Sequence, residues 1–439
     1  IMLVEFKVAN FLCFREQVTF SMVGSNITEN KDNTFIIKGF DNSLLKTAVI
    51  YGANASGKSK MLESVRCLRH MIVESFRNKI DESIFDYEQP FLFDIDTRNK
   101  PSHFEVSFII RNELYTYNIY CTREQVFEER LDKINDNNVD NLFTRKNNVI
   151  NVNMSFPEGE AAKNQTRDNV LFLSRVADLN GQLSNEIVKF FKNIKFYEHD
   201  NSPFNFHGMK LIDTLKDDSK KESLLNAMRD ADISIKKLEV IDEVGEKQKS
   251  SARLLKQNKD GTLVLNDSQL ISYHTLYDKN LPTDIMTSID FFLHESEGTK
   301  AFACLFIMLL ETLENGTILF VDELDSSLHS LLCEKVVKLV NNPETNPKNA
   351  QLIFTTHNTN LLSSKLFRRD QIWFTEKTKN ESTDLYSLVE FKLKNKNGED
   401  IGVRKDANYE KNYLAGRYGA IPILSDFSNS TLKGNDDVE

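Results

Sequence analysis

The sequence predicts an α/β protein whose core sheet is built from strands that are buried on both faces. Three observations predict this class: an apolar run at 47–51 leads into a glycine-rich loop, a second at 317–321 ends in two acidic residues, and a third at 351–356 ends in a histidine. Apolar runs without alternation are typical of parallel strands covered on both sides. Because the carboxyl ends of parallel strands meet at one edge of a sheet, we expect the groups after these runs to form one site.

The glycine-rich loop predicts a binding site for a nucleoside triphosphate. Strand, loop and helix follow in the order in which backbone N–H groups and the positive end of a helix dipole can surround phosphates. Lys58 is expected to reach the β- and γ-phosphates, and the Ser59 hydroxyl is placed to bind Mg²⁺. The expected phosphate-binding residues are Gly52, Asn54, Ala55, Ser56, Gly57, Lys58 and Ser59. The expected cofactors are ATP and Mg²⁺, and the sequence leaves GTP open as the nucleotide.

The two other apolar strands end in residues suited to phosphate chemistry. Asp322 follows the run at 317–321, where we expect it to hold Mg²⁺, mostly through water. Glu323 is then the expected general base, which orients and deprotonates the attacking water. His357 follows the run at 351–356, where an imidazole can contact the γ-phosphate.

A fourth candidate precedes the acidic strand. A hydroxyl residue and a glycine stand before an apolar helix that we expect over 301–313, and the N-terminus of such a helix can bind an anion. An ordinary helix N-cap explains the same residues, so both interpretations stay open. The residues concerned are Ser296, Gly298 and Thr299.

Together these motifs resemble the ABC-type ATPase heads of the SMC and RecF branch over most of the chain. The first strand runs into Asn10-Phe11 as in those heads, and the acidic strand continues into a similar loop at Leu324-Asp325. The resemblance implies that Asp325 belongs to the nucleotide site and that His357 is the switch histidine. It identifies 296–299 as a degenerate signature motif. Gln89 resembles the glutamine that senses the γ-phosphate, with a plain loop residue as the equal alternative.

Among such heads, the sequence is most similar to compact bacterial ATPases of phage-defence and abortive-infection systems, such as the RloA and AbiL type and relatives of the OLD proteins. The stretches at 169–180 and 413–422 are similar to segments of that group. The resemblance implies a slow, partner-regulated ATPase that forms a homodimer, or a higher assembly, around ATP. Each signature motif would then contact the nucleotide of the other subunit. It further implies a separate effector protein, for which a nuclease is one candidate.

Two other functions stay open from the sequence. One is a RecF- or SMC-like DNA-maintenance ATPase, and the other is an assembly scaffold that binds ATP with little turnover. The net charge of −10 disfavours a globally basic nucleic-acid binder, but local basic clusters keep DNA as a candidate partner. A solvated surface is the alternative for both clusters. The clusters lie at 247–259 and, after the phosphate loop, at Lys60, Arg66, Arg69 and Arg77.

The predicted fold is therefore an α/β P-loop NTPase head of ABC type, with a mixed or parallel core sheet and a flanking antiparallel sheet. We expect an N-terminal lobe at 1–180, a helical and basic insertion at 181–280, and a C-terminal lobe at 281–439. No stretch sustains heptads, so the insertion is expected to replace long coiled-coil arms with short helices. The predicted strands are 103–110, 114–120, 126–131, 148–152 and 385–392, and the predicted helices are 185–193, 219–230 and 283–293.

The composition predicts a cytoplasmic protein without a membrane partner. The sequence has no run of about 18 apolar residues that would suggest a membrane span. The N-terminus shows no basic and then apolar signal region. The five cysteines are odd in number and scattered along the chain, which favours reduced thiols.

Overall fold

The computed structural model describes residues 2–79, 82–84, 90–135, 138–198, 206–242, 255–257, 263–265, 268–394 and 399–422. Gln89 and most of the basic stretch 247–259 lie outside the described residues, so their proposed roles stay predictions. The division of the chain at residues 180 and 280 also stays a prediction.

The described residues form many short strands and fewer helices. The strands are β1 (Met2–Ala9), β2 (Val18–Ser21), β3 (Thr34–Ile36), β4 (Ser43–Leu45), β5 (Thr47–Gly52), β6 (Ser102–Ile110), β7 (Glu113–Cys121), β8 (Val126–Asn135), β9 (Asn138–Lys146), β10 (Val149–Val152), β11 (Lys195–Tyr197), β12 (Lys237–Ile241), β13 (Leu255–Gln257), β14 (Leu263–Leu265), β15 (Gln269–Asp278), β16 (Leu281–Asp290), β17 (Ile318–Val321), β18 (Gln351–Thr355), β19 (Ile372–Lys377), β20 (Thr383–Ser387), β21 (Lys392–Lys394) and β22 (Asp400–Gly402). The helices are α1 (Lys58–Glu74), α2 (Phe172–Asp178), α3 (Gln182–Lys192), α4 (Phe206–Thr214), α5 (Asp218–Asp230), α6 (Phe291–His294), α7 (Glu297–Asn315), α8 (Ser330–Asn341) and α9 (Tyr409–Leu414).

The core sheet is mixed, as the sequence predicts. Its strand order is β11-β17-β18-β5-β19-β20, in which the first five strands run parallel and β20 pairs antiparallel at the edge. Every residue of β5, β17 and β18 is buried. The parallel order brings the carboxyl ends of these three strands to one edge of the sheet.

Each face of the core sheet packs in its own hydrophobic cluster, because successive side chains of a strand point to opposite faces. Ala48 and Ile50 of β5 pack on the side of α1 and of a second, antiparallel sheet. Val49 and Tyr51 pack on the opposite side, with residues of α7 and α8. Because both faces of β5 are covered, its sequence is a continuous apolar run.

The antiparallel sheet flanks the core in the order β10-β9-β8-β7-β6-β1-β2. It confirms the strands predicted at 103–110, 114–120, 126–131 and 148–152, which correspond to β6, β7, β8 and β10. The sequence pattern does not indicate β9, because polar residues occupy much of this strand and conceal its alternation. One of them, Arg145, is only 1 % exposed.

Arg145 and Glu129 form an ion pair in the interior, with a nitrogen–oxygen distance of 3.7 Å. Glu129 also accepts hydrogen bonds from the Tyr117 hydroxyl at 2.6 Å and from the N–H groups of Phe172 and Leu173 at 2.7 and 2.9 Å. The two N–H groups belong to the first turn of α2, where a carboxylate is favoured by the helix dipole. Burial raises the pKa of Glu129, while Arg145 and the hydrogen bonds oppose that shift.

Arg145 also fixes the chain segment that leads into α2. Its guanidinium donates to the carbonyl oxygens of Val170 at 2.7 Å and of Arg167 at 3.1 Å. The stretch at 169–180 therefore closes over a buried charge pair of the antiparallel sheet.

Two secondary-structure predictions are wrong. The helix predicted at 283–293 is the strand β16, which pairs antiparallel with β15, and only its end forms the short helix α6. Thr283, Ile285, Thr287 and Ile289 alternate along this segment, and such β-branched residues suit a pleated strand. The strand predicted at 385–392 is interrupted, because β20 ends at Ser387 and Phe391 N–H donates to the Ser387 carbonyl in a turn before β21.

The other helix predictions are confirmed. The helices α3 and α5 correspond to the predicted segments at 185–193 and 219–230, and α7 contains the segment at 301–313. The longest helix of the described residues is α7, with 19 residues, so this part of the chain holds no long coiled-coil arm. Among the described helices, none is long and apolar enough to cross a membrane.

Candidate functional site

The phosphate loop connects β5 to α1 at the carboxyl edge of the core sheet. Gly57 adopts a left-handed φ of 110°, and a Cβ at this position would lie 2.7 Å from Thr383 Oγ1. A Cβ at Gly52 would lie 2.4 Å from Ser56 Oγ. The loop can fold this tightly only because both positions lack a side chain, and this lets its backbone approach phosphate oxygens closely.

Gly57→Ala is expected to lower the melting temperature and to abolish nucleotide binding. The added methyl group would collide with Thr383, and a non-glycine residue at this φ carries roughly 1–3 kcal/mol of backbone strain. Thermal unfolding with and without Mg·ATP measures both effects. Gly402→Ala is the control, since a Cβ at Gly402 meets no atom of the described residues within 4 Å. A Gly57→Ala protein that binds Mg·ATP as the wild type does would contradict the prediction.

Lys58 lies inside the loop that it is expected to serve. Its side chain is buried, and Nζ donates to the carbonyl oxygens of Gly52 at 3.0 Å and of Ala53 at 3.1 Å. Burial lowers the pKa of Lys58, and the nearby carboxylates of the acidic strand, Glu323 foremost, oppose that shift. The ammonium group is thus held between the loop and a set of negative charges.

Ser59 and Asp322, the two residues predicted to bind Mg²⁺, meet across the edge of the sheet. The Ser59 hydroxyl donates to Asp322 Oδ1 at 3.1 Å, and the Thr355 hydroxyl donates to the same oxygen at 2.6 Å. A hydroxyl and a carboxylate are the oxygen donors that Mg²⁺ takes beside nucleotide phosphates and water, so these residues fit the ion. No cluster of three or more His, Cys, Asp or Glu residues that could hold a metal occurs in the described part of the chain.

The structure also brings together the two predicted catalytic side chains. His357 Nε2 lies 4.0 Å from Glu323 Oε1, and both side chains are about half exposed. Glu323 has a left-handed φ of 50°, and its N–H donates to Thr355 Oγ1 at 2.7 Å. Residues held in such sparsely populated backbone regions are common at functional sites, where the surroundings must compensate for the strain.

Asp325 holds the turn that carries the histidine. Its carboxylate accepts hydrogen bonds from the Thr356 hydroxyl at 2.6 Å and from the His357 N–H at 3.2 Å. The loop after the acidic strand is therefore bonded directly to the end of β18. Asp325 therefore orients this turn, and its place in the nucleotide site stays a prediction.

The residues at 296–299 form the start of α7. Ser296 Oγ accepts a hydrogen bond from the Thr299 N–H at 3.1 Å, which is the geometry of an N-cap. A Cβ at Gly298 would lie 2.9 Å from the Ser327 carbonyl oxygen, so the motif packs against the loop that follows Asp325. Among the described residues, no hydrogen bond or ion pair joins this motif to the phosphate loop of the same chain.

Three threonines contact the predicted site residues although no sequence motif marks them. Thr355 bonds to Asp322 and to Glu323, Thr375 lies 2.7 Å from Ser56 Oγ, and Thr383 donates to the Ser56 carbonyl at 2.8 Å. These threonines lie on β18, β19 and β20, so only the pairing order of the sheet identifies them.

A cavity of about 850 Å³ opens beside the phosphate loop. Its walls include the first residues of the loop, 52–54, the histidine turn with His357 and Thr359, and residues of the C-terminal stretch at 413–422. The cavity therefore faces the side of the loop where the histidine lies.

Comparisons with known proteins found a matching family model and similar solved structures. A family model described as "AAA domain, putative AbiEii toxin, Type IV TA system" matches residues 48–363. Among solved structures, the SMC head domain from Thermotoga maritima is similar at 13% sequence identity and a TM-score of 0.40, over 88% of this chain and 99% of that chain. No curated protein sequence matched the chain.

Proposed function

Because the chain belongs to the AAA-domain family of the AbiEii type, we propose that it is an ATP-driven switch that dimerises around ATP and controls a separate effector in abortive-infection defence. The observation that carries this proposal is the contact between Ser59 and Asp322, which joins the phosphate loop to the acidic strand. Lys58, Glu323 and His357 complete a site for hydrolysis around this contact.

Each residue has a separate part in the proposed hydrolysis of ATP. Lys58 binds the β- and γ-phosphates, which the loop backbone surrounds. Glu323 orients the attacking water and accepts its proton, and its exposed carboxylate is accessible to water. His357 contacts the γ-phosphate from the neighbouring strand end. Ser59 and Asp322 would hold Mg²⁺, which would supply positive charge to neutralise the phosphates.

The start of α7 supports the proposed dimer. Ser296 is exposed, and the motif has no bond to its own phosphate loop among the described residues. Its hydroxyl and the helix N-terminus are suited to a γ-phosphate presented by a second copy. Two such contacts related by a two-fold axis would make ATP part of the interface, so hydrolysis would release it.

The cations of α1, and Arg77 just after it, do not favour DNA as the partner. Lys60 pairs with Glu63, Arg66 with Glu198, and Arg77 with Glu74, while Arg69 donates to the carbonyl oxygens at the end of α3. These cations therefore have partners within the chain. A separate effector protein agrees better with the family, whose description names a toxin system.

Lys58→Ala is expected to lose the thermal stabilisation that Mg·ATP gives to the wild type. A ligand at about 100 times its Kd stabilises a protein by ~2.7 kcal/mol. Without the ammonium group the phosphates lose the cation that the loop itself supplies, so we expect no such gain and no ATP turnover. Lys60→Ala is the control, since Lys60 lies two residues later and pairs with Glu63. Equal stabilisation of Lys58→Ala and wild type would count against an ATP site here.

A further inference from the structure

The C-terminal stretch at 409–422 folds into a compact unit against the core sheet. Tyr409, Tyr413 and Tyr418 are all buried. Within the unit, the Tyr413 hydroxyl donates to the Ala420 carbonyl at 3.0 Å, and the Asn412 amide donates to the Tyr418 hydroxyl at 3.0 Å. The unit is thus held by its own side chains.

The unit packs closely on β19 and β20. The Tyr386 hydroxyl donates to the Tyr418 carbonyl at 2.7 Å. Gly419 has a φ of 68°, and a Cβ there would lie 2.6 Å from Glu376 Oε2 and 2.7 Å from the Tyr386 hydroxyl. The ring of Tyr413 stacks on Phe374, with centroids 5.4 Å apart. Gly419 is required for this close approach, because a side chain there would collide with β19 and β20.

The same unit contacts the turn that carries His357. The Thr359 hydroxyl donates to Glu410 Oε1 of α9 at 3.0 Å. Tyr51, the residue before the phosphate loop, donates from its hydroxyl to the Asn358 carbonyl at 3.1 Å, and its ring packs against Tyr413 with centroids 5.8 Å apart. The histidine turn is therefore held by Asp325 on one side and by α9 and Tyr51 on the other.

We propose that Glu410 is a positioning residue for ATP hydrolysis. Through Thr359 it fixes the turn that carries His357, so the C-terminal unit contributes to the ATPase site. The proposal rests on the role proposed above for His357. It accounts for the shared cavity, in which His357 and Thr359 face residues of the C-terminal unit and of the phosphate loop. Glu410 acts through Thr359 and does not itself contact the nucleotide.

Glu410→Ala is expected to lower kcat about tenfold with the KM and the Kd for ATP unchanged, because small displacements of a catalytic group cost rate more than affinity. Glu410→Gln keeps an acceptor oxygen for Thr359 and is expected to restore most of the turnover. Thr359→Val removes the hydroxyl that donates to Glu410, so it should lower kcat by the same factor as Glu410→Ala. Glu334→Ala is the control, since Glu334 pairs with Lys338 on the surface of α8. Steady-state turnover and binding of a fluorescent ATP analogue measure these quantities.

The same variants in a His357→Ala background separate this inference from the proposed function. If Glu410 acts through the histidine turn, Glu410→Ala has no further effect once His357 is absent. Should His357→Ala lower turnover while both Glu410→Ala and Thr359→Val leave it unchanged, the positioning role is wrong. The same holds if Glu410→Ala lowers kcat equally with and without the histidine. Unchanged turnover in His357→Ala alone would instead overturn the proposed role of the histidine, and this inference with it.

Discussion

Glu323→Gln is expected to lower ATP turnover by about 100-fold or more and to hold the protein as a dimer in Mg·ATP. Glutamine has the shape of glutamate but cannot accept the proton of the attacking water. Binding is expected to persist, because Lys58, Ser59 and Asp322 are unchanged. ATP would then stay between two copies, and the mass measured by light scattering would double when Mg·ATP is added at matched protein concentration.

Two variants serve as controls for that measurement. Adding Ser296→Arg to Glu323→Gln places a bulky cation at the exposed start of α7, and we expect it to abolish the dimer without abolishing binding to the phosphate loop. Glu334→Gln changes a carboxylate on α8 that pairs with Lys338, and we expect wild-type turnover. A mass that does not respond to Mg·ATP in Glu323→Gln would rule out ATP as the trigger of dimerisation for the isolated chain.

Glu129→Ala is expected to cost about 3–5 kcal/mol of unfolding free energy, because it leaves the buried charge of Arg145 without its carboxylate. It also removes the acceptor for the Tyr117 hydroxyl and for two N–H groups of α2. We expect the urea midpoint of unfolding, measured by circular dichroism, to fall.

Glu105→Ala is the matched control for this stability prediction. Glu105 lies on β6 of the same sheet, but its partner Lys7 and its own side chain are about a quarter exposed. Water screens a partly exposed pair more than a buried one, so Glu105→Ala should cost less unfolding free energy than Glu129→Ala. If Glu129→Ala shifted the urea midpoint no more than Glu105→Ala, the buried pair would not stabilise the fold as argued.

Much of the site is predictable from the sequence because its parts are short and continuous. The loop 52–59 can be recognised from its glycines, its lysine and its hydroxyl in order. Asp322 and Glu323 can be recognised from the buried strand that precedes them. The structure brings Ser59 to Asp322 although 263 positions separate them. Chain order sufficed here because polar groups at the ends of parallel strands must meet at the same edge.

Sequence patterns fail where pairing partners decide the outcome. The segment at 283–293 has enough apolar residues for a helix, yet β15 offers it a partner and it forms β16. In β9, Arg145 occupies an interior position because Glu129 on the neighbouring strand compensates its charge. Both partners lie on the preceding strand of a hairpin, but the pattern of one segment alone does not show which segment it pairs with.

Sequence patterns alone predict the phosphate loop, the acidic strand end and the histidine that follows a buried strand. The bond from Thr355 to Asp322, and the contacts by which Tyr51 and Glu410 hold the turn of His357, arise from the packing of distant segments. Tyr51 and Asn358 are 307 positions apart, and their contact depends on the order of strands in the core sheet and on the path of the C-terminal unit. The physical reason is that local motifs specify which groups can react, whereas the packing of distant segments specifies how those groups are held.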